Sequence, residues 1–157
     1  TEFVKVFANI FEKAKWIAQE LCLHRPFKNF EELSSKMIDI FEASTNEKKL
    51  KILRNHPDLA DKAKINELTL DSLNEQANSG LDQCTEEEFN EFKKLNNDYK
   101  KFGFPFILCV KGKNKIEILK NFRKRISANR ESEFKEAVIQ VKKIASLRLK
   151  ELIKKYN

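Results

Sequence analysis

The sequence predicts an all-α fold, a single domain over residues 1–157 built as a bundle of about seven or eight helices with one buried irregular segment at residues 102–110. Three observations predict it. Only three Gly and three Pro punctuate the 157 residues, well under the usual shares of about 7% and 5%, which leaves too few turn residues for a sandwich or barrel. Apolar residues recur at spacings of three and four along most of the chain, so they line one face of successive helices. Hydrophobic residues make up 41% of the chain, 13 of them Phe. A chain of this length buries about 70% of its unfolded surface, and these residues supply that interior without disulfide or metal staples.

Each element has a local reason. Phe3, Phe7, Ile10, Phe11, Ala14, Ile17, Ala18 and Leu21 form one stripe, read as a continuous first helix reaching to near His24. Pro26 ends it, because proline lacks a backbone donor and disfavours α geometry in the preceding residue. A second helix covers about residues 30–42, with Leu33, Met37, Ile40 and Phe41 inward. Ser44, Thr45 and Asn46 are N-cap candidates for a third, which carries Leu50, Ile52 and Leu53 and must stop at His56-Pro57. Thr69 or Ser72 caps a fourth, running to Gly80 as a left-handed stop. From Thr85 to Lys101, Phe89, Phe92, Leu95 and Tyr99 keep helical spacing. The run Phe102-Gly103-Phe104-Pro105-Phe106-Ile107-Leu108-Cys109-Val110 then breaks the period and reads as buried, extended or irregular chain. Two helices close the sequence, at about residues 115–128 and 131–153.

Composition also excludes chemistry. Glycines at 80, 103 and 112 assemble neither G-x-G-x-x-G nor a phosphate-binding G-x-x-x-x-G-K. Cys22, Cys84 and Cys109 form no C-x-x-C, and His24 and His56 form no H-E-x-x-H, so no metal site is expected. No run of about 18 apolar residues exists to span a bilayer, and Glu2, Glu12 and Glu20 are unlike a secretory signal. The expectation is a soluble, cytoplasmic protein with reduced thiols and no membrane partner. Charge is uneven: residues 1–110 carry net −3 and residues 111–157 net +10. A basic C-terminal part suits a helical nucleic-acid-binding module, but the closing helices interleave no aromatic stacking platform. A solvated face, or attraction for a small anion, is the favoured reading.

Four features exceed a plain bundle, each with a structural alternative. Pro57 holds His56 at a helix end, where the negative helix terminus favours imidazolium and suits a proton donor; the alternative is a surface histidine capping a carbonyl. Ser72-Leu73-Asn74-Glu75-Gln76 places hydroxyl, carboxylate and amide on one helical face, or else Ser72 and Glu75 form a capping box. Residues 102–110 are either plain core or a backbone whose N–H and C=O groups meet the edge of a planar amide-rich heterocycle. Arg148 lies in the apolar stripe of the last helix with Val141, Ile144, Ala145 and Leu152, so it must snorkel, pair or face a pocket, where its fork suits a carboxylate.

Together His56-Pro57-Asp58-Leu59-Ala60, Ser72-x-x-Glu75-Gln76, Phe102-Gly103-Phe104-Pro105-Phe106 and Ser146-Leu147-Arg148-Leu149 resemble the OHCU decarboxylases in order and spacing. The likeness covers almost the whole chain, from Glu2-Phe3-Val4 through Arg25-Pro26-Phe27. Two positions depart from the family pattern: Ser79 stands where Ala usually precedes Gly, and Asp61 where Gly commonly follows His-Pro-Asp-Leu-Ala. The resemblance implies an all-helical, cofactor-free homodimer. It implies decarboxylation of 2-oxo-4-hydroxy-4-carboxy-5-ureidoimidazoline (OHCU), the last intermediate of urate breakdown, to (S)-allantoin. Carried over by motif, it makes His56 the proton donor and Glu75 its catalytic partner. Pro57, Ser72, Leu73, Asn74, Gln76, Phe106, Ile107, Leu108, Cys109, Val110 and Arg148 then surround the substrate. Decarboxylation of the same kind on another acid substrate is the remaining alternative.

Overall fold

A computed structural model describes residues 1–61 and 70–156, and among them it has eight α-helices and no strand. The chain resolves into two compact units, Thr1–Asn55 with Val141–Asn157, and His56–Gln140.

The first unit contains α1 (Glu2–Phe7), α2 (Lys15–Cys22), α3 (Phe30–Glu42) and α4 (Asn46–Arg54), together with α8 (Arg130–Lys154) from Val141 onward. Helix α1 packs on α2 and α2 on α3. Caps sit where the backbone needs them: Asn29 accepts from the Glu32 amide at 2.8 Å, and Thr45, of the three candidates, accepts from Lys48 at 3.2 Å. Each satisfies a donor that the first helical turn leaves without an intrahelical partner.

The continuous first helix read from the sequence is not what forms. The first helix ends at Phe7 with Ala8 as its cap, the chain passes through Lys13 in the left-handed region (φ 50°), and helix resumes at Lys15. The apolar stripe predicted the burial correctly, since Ile10, Phe11 and Ala14 are all in the core, with Phe11 stacked on Phe41 at 4.9 Å. It did not predict the path. The Ala14 amide bonds Phe11 O rather than Ile10 O, and the displaced Ile10 carbonyl is taken up by Arg148.

The second unit contains α5 (Leu70–Asn78), α6 (Glu86–Tyr99), α7 (Lys115–Arg125) and the start of α8. A reciprocal cap between Thr85 and Glu88 opens α6. Gly103 (φ 83°) makes the left-handed exit behind α6 that lets the chain turn into residues 104–110 without a Cβ clash. Residues 105–110 are neither helix nor strand, as the sequence predicts, and Phe106, Ile107, Leu108 and Val110 are buried. They pack into an aromatic core centred on Tyr99, whose ring lies 5.6 Å from Phe106 and 5.9 Å from Phe122. Phe106 and Phe122 stack at 3.9 Å. Each ring removed from water contributes about 1.5–3 kcal/mol.

The charge asymmetry has an internal explanation. Basic residues after position 111 pair with acids from the first 110 residues: Lys115 with Glu88, Arg123 with Glu91, Lys142 with Glu42 and Arg148 with Glu12. Part of the +10 is therefore neutralised within each unit rather than held for a polyanion.

Candidate active site

His56 follows the cap of α4 directly and opens the second unit on a half-buried loop with Pro57 and Asp58. The next three residues of that loop are tied down. From α5, the Gln76 amide nitrogen donates to Asp58 O at 3.5 Å, while its oxygen accepts from the Ala60 N–H at 2.9 Å. From α6, Asn96 donates to Leu59 O at 3.0 Å. Ala60 sits at φ 56°, a conformation costing about 1–2 kcal/mol for an L-residue, and the Gln76 bond holds it there. The imidazole is thus carried on backbone fixed immediately downstream.

Along α5 the residues sort by burial. Ser72 and Gln76 are buried, Leu73 and Glu75 half-buried, and Asn74 exposed. Ser72 lies inside the helix, which is already under way at Leu70, so it is not the N-cap and the capping-box alternative fails. Thr69, the other cap candidate, lies outside the described residues. Beyond the helix, Ser79 is buried and donates to Val110 O at 2.8 Å.

Within residues 106–110 the backbone is engaged at Ile107, Cys109 and Val110. Arg125 Nη1 donates to Ile107 O at 2.6 Å, the Cys109 N–H donates to Gln140 Oε1 at 2.8 Å, and Lys113 reaches Cys109 O at 3.4 Å. Among the described residues none takes the N–H or C=O of Leu108, or the N–H of Val110. Such groups match the edge of a ligand that carries its own donors and acceptors.

Behind this segment lies a cluster the sequence reading missed. Arg125 pairs with Glu133 at 3.0 Å, and the Tyr99 hydroxyl also donates to Glu133. Burial, followed by the bond to Glu133, pushes the Tyr99 hydroxyl well above the ordinary tyrosine pKa. Nothing in periodicity marks Tyr99 as other than core.

In the first unit, Arg148 is 5% exposed, and its side chain and that of Glu12 are each 3% exposed. Arg148 Nη2 lies 3.1 Å from Glu12 Oε1, and Nη1 donates to Ile10 O at 3.2 Å. Arg148 therefore pairs with Glu12 and does not snorkel. Glu12 went unread as its partner because a continuous helix would not have turned it inward. The chemical repertoire is therefore an imidazole on a fixed loop, a half-buried carboxylate, backbone donors and acceptors, and a buried planar cation. Among the described residues, no three His, Cys, Asp or Glu side chains group as a metal site.

These groups stand on an all-helical chain among the described residues, divided between its two compact units. The OHCU decarboxylase family model matches residues 1–150, and the chain belongs to that family. It is 37% identical over 155 residues to the uric acid degradation bifunctional protein of Bacillus sp. (strain TB-90), covering 98% of this chain but 30% of that one. The chain thus spans about three tenths of the bifunctional relatives it matches. It is 37% identical over 150 residues to the 2-oxo-4-hydroxy-4-carboxy-5-ureidoimidazoline decarboxylase of Haloferax volcanii, covering 95% of this chain and 88% of that one. A crystal structure of (S)-allantoin synthase superposes with a TM-score of 0.76 at 28% identity, covering 96% of this chain and 50% of that one.

Proposed function

We propose that this protein is a carboxy-lyase that converts OHCU to (S)-allantoin without a cofactor. The observation that carries the reading is the family match across residues 1–150, in a chain whose sequence carries His56, Glu75 and Arg148. Loss of CO2 leaves an electron pair on the ring carbon that bore it, and the adjacent ring C=N accepts that pair, so the substrate is its own electron sink. The hydroxyl on that carbon then becomes a carbonyl as a proton reaches one face of the neighbouring carbon. His56 delivers that proton. Glu75 holds and polarises the hydroxyl, Arg148 orients an anionic or carbonyl group, and backbone from Phe106 to Val110 binds the ring edge. Pro57, Ser72, Leu73, Asn74 and Gln76 complete the surroundings. The supporting geometry is local: the loop after His56 is bonded at Asp58, Leu59 and Ala60.

The same reading takes residues 1–157 as one domain, working as a cytoplasmic homodimer without nucleic-acid or membrane partners. No described helix is long and apolar enough to cross a membrane. The test is circular dichroism at an allantoin band after protein is added to freshly generated products of urate oxidation. Optically active allantoin should form faster than in buffer. An unchanged rate, with racemic product, contradicts the proposal.

A further inference from the structure

Arg125, Glu133 and Tyr99 take no part in the proposed chemistry, yet they are 9%, 2% and 0% exposed. Arg125 is held at three points: Nε lies 3.0 Å from Glu133 Oε1, Nη1 is 2.6 Å from Ile107 O, and the guanidinium carbon is 4.5 Å from the Phe106 ring centroid, while Nη2 makes only the ion-pair approach to Glu133. Burying such a pair is a poor route to stability. Desolvation offsets most of the Coulombic gain, and apolar residues of similar volume are often as good or better. A neighbourhood containing Phe106, Phe122 and Phe102 would accept them. What an apolar group cannot supply is a hydrogen bond at a chosen point of the backbone, and the guanidinium supplies one at Ile107.

Two further bonds act at the same level. Gln140, itself bonded to Glu136 at 2.8 Å, fixes the Cys109 N–H, and Ser79 fixes Val110 O. Bonding at Ile107 and Cys109 but not at Leu108 between them is the pattern of a chain whose successive peptide groups face opposite edges. The segment is fastened at Ile107 and Cys109 on one edge and at Val110 O beyond them, which fixes the direction of the Leu108 N–H and C=O between.

We propose that Arg125, braced by Glu133 and Tyr99, is a positioning residue that sets the backbone of residues 106–110 so that Leu108 presents its peptide groups to the ring edge of the ureidoimidazoline. The inference rests on the substrate reading given above. Arg125 acts through the segment and touches no reacting atom.

The test compares steady-state kinetics and urea midpoints of the parent, Arg125→Met/Glu133→Leu, Arg125→Lys, Tyr99→Phe and, as a control, Arg123→Ala. The double variant removes both charges together, so no buried ion is left alone. It should keep the parent's midpoint while kcat/KM falls about 100-fold, the scale of a small misplacement of a bound substrate. Most of that loss should appear in KM, because the segment holds the ring before and during reaction. Arg125→Lys and Tyr99→Phe should show smaller rises in KM, and Arg123→Ala none. A folded double variant with the parent's KM overturns the proposal. If the double variant does not fold, parental KM values in both Arg125→Lys and Tyr99→Phe overturn it. An inactive parent overturns the substrate reading and this inference with it, whereas an active parent with unaffected variants overturns this inference alone.

Discussion

Two buried arginines, one in each unit, were legible to very different degrees. Arg148 meets Glu12 from 136 residues away, whereas Arg125 meets Glu133 from only 8. The remote pair announced half of itself, because a guanidinium amid Val141, Ile144, Ala145 and Leu152 breaks an apolar stripe. The close pair was invisible. Arg125 ends α7 in a run with Arg123 and Lys124, and Glu133 stands in the first turn of α8 with Glu131. Cations at a helix C-terminus and anions at an N-terminus are what the helix dipole favours on any solvated surface. A buried pair placed there looks ordinary. Charge out of pattern is readable in a sequence; charge in pattern hides its burial.

The comparison can be broken by removing partners one at a time. Glu12→Ala should produce the largest stability loss, about 3–5 kcal/mol by urea denaturation, because it removes the carboxylate 3.1 Å from a buried guanidinium. A loss near zero would mean that the Arg148 charge is solvated in solution. Tyr99→Phe should lose about 1.5–3 kcal/mol, the usual worth of a hydrogen bond to a charged group, while Arg125 continues to neutralise Glu133.

Tyr99 also gives the second cluster a pH signature. Its folded-state pKa lies above the unfolded value of about 10. The unfolded chain therefore releases this proton first, and the stabilisation is complete below pH ~10 and is lost as pH rises beyond it. The parent's urea midpoint should fall more steeply than that of Tyr99→Phe as pH rises above about 10, the ordinary tyrosine pKa. Parallel curves would remove Tyr99 from the account.

Gln76→Ala should cost about 1–2 kcal/mol for its two loop bonds and slow turnover further, since the loop carries His56. The smallest effect belongs to Arg123→Ala. That guanidinium pairs with Glu91 at 2.6 Å but is 54% exposed, so its urea midpoint should match the parent's.

The same contrast explains how much of the fold was readable. The second helix reads as residues 30–42 and α3 is Phe30–Glu42, because the stripe of Leu33, Met37, Ile40 and Phe41 is unambiguous; the Asn29 cap emerges only in the structure. The irregular segment was readable because Gly103 and Pro105 interrupt an apolar run. The first helix was misread because periodicity reports which residues are buried, and Ile10, Phe11 and Ala14 are buried along a broken path as they would be along a straight one. Within the candidate site, His56-Pro57 and Glu75 stand out in the sequence only in combination with the other motifs, since each alone also suits a helix cap. The bonds that hold them, from Gln76 and Asn96 to Asp58, Leu59 and Ala60, connect residues 16–37 positions apart and have no periodic signal.

The role of His56 is the claim on which the mechanism turns, and one measurement addresses it. Allantoin dichroism should be followed with equal amounts of parent and His56→Ala, both first shown to unfold at the same urea concentration. The account predicts a parent that forms (S)-allantoin and a variant slowed by about 10²–10⁴, the usual worth of a positioned general acid. A folded His56→Ala protein that forms it at the parental rate would contradict the account.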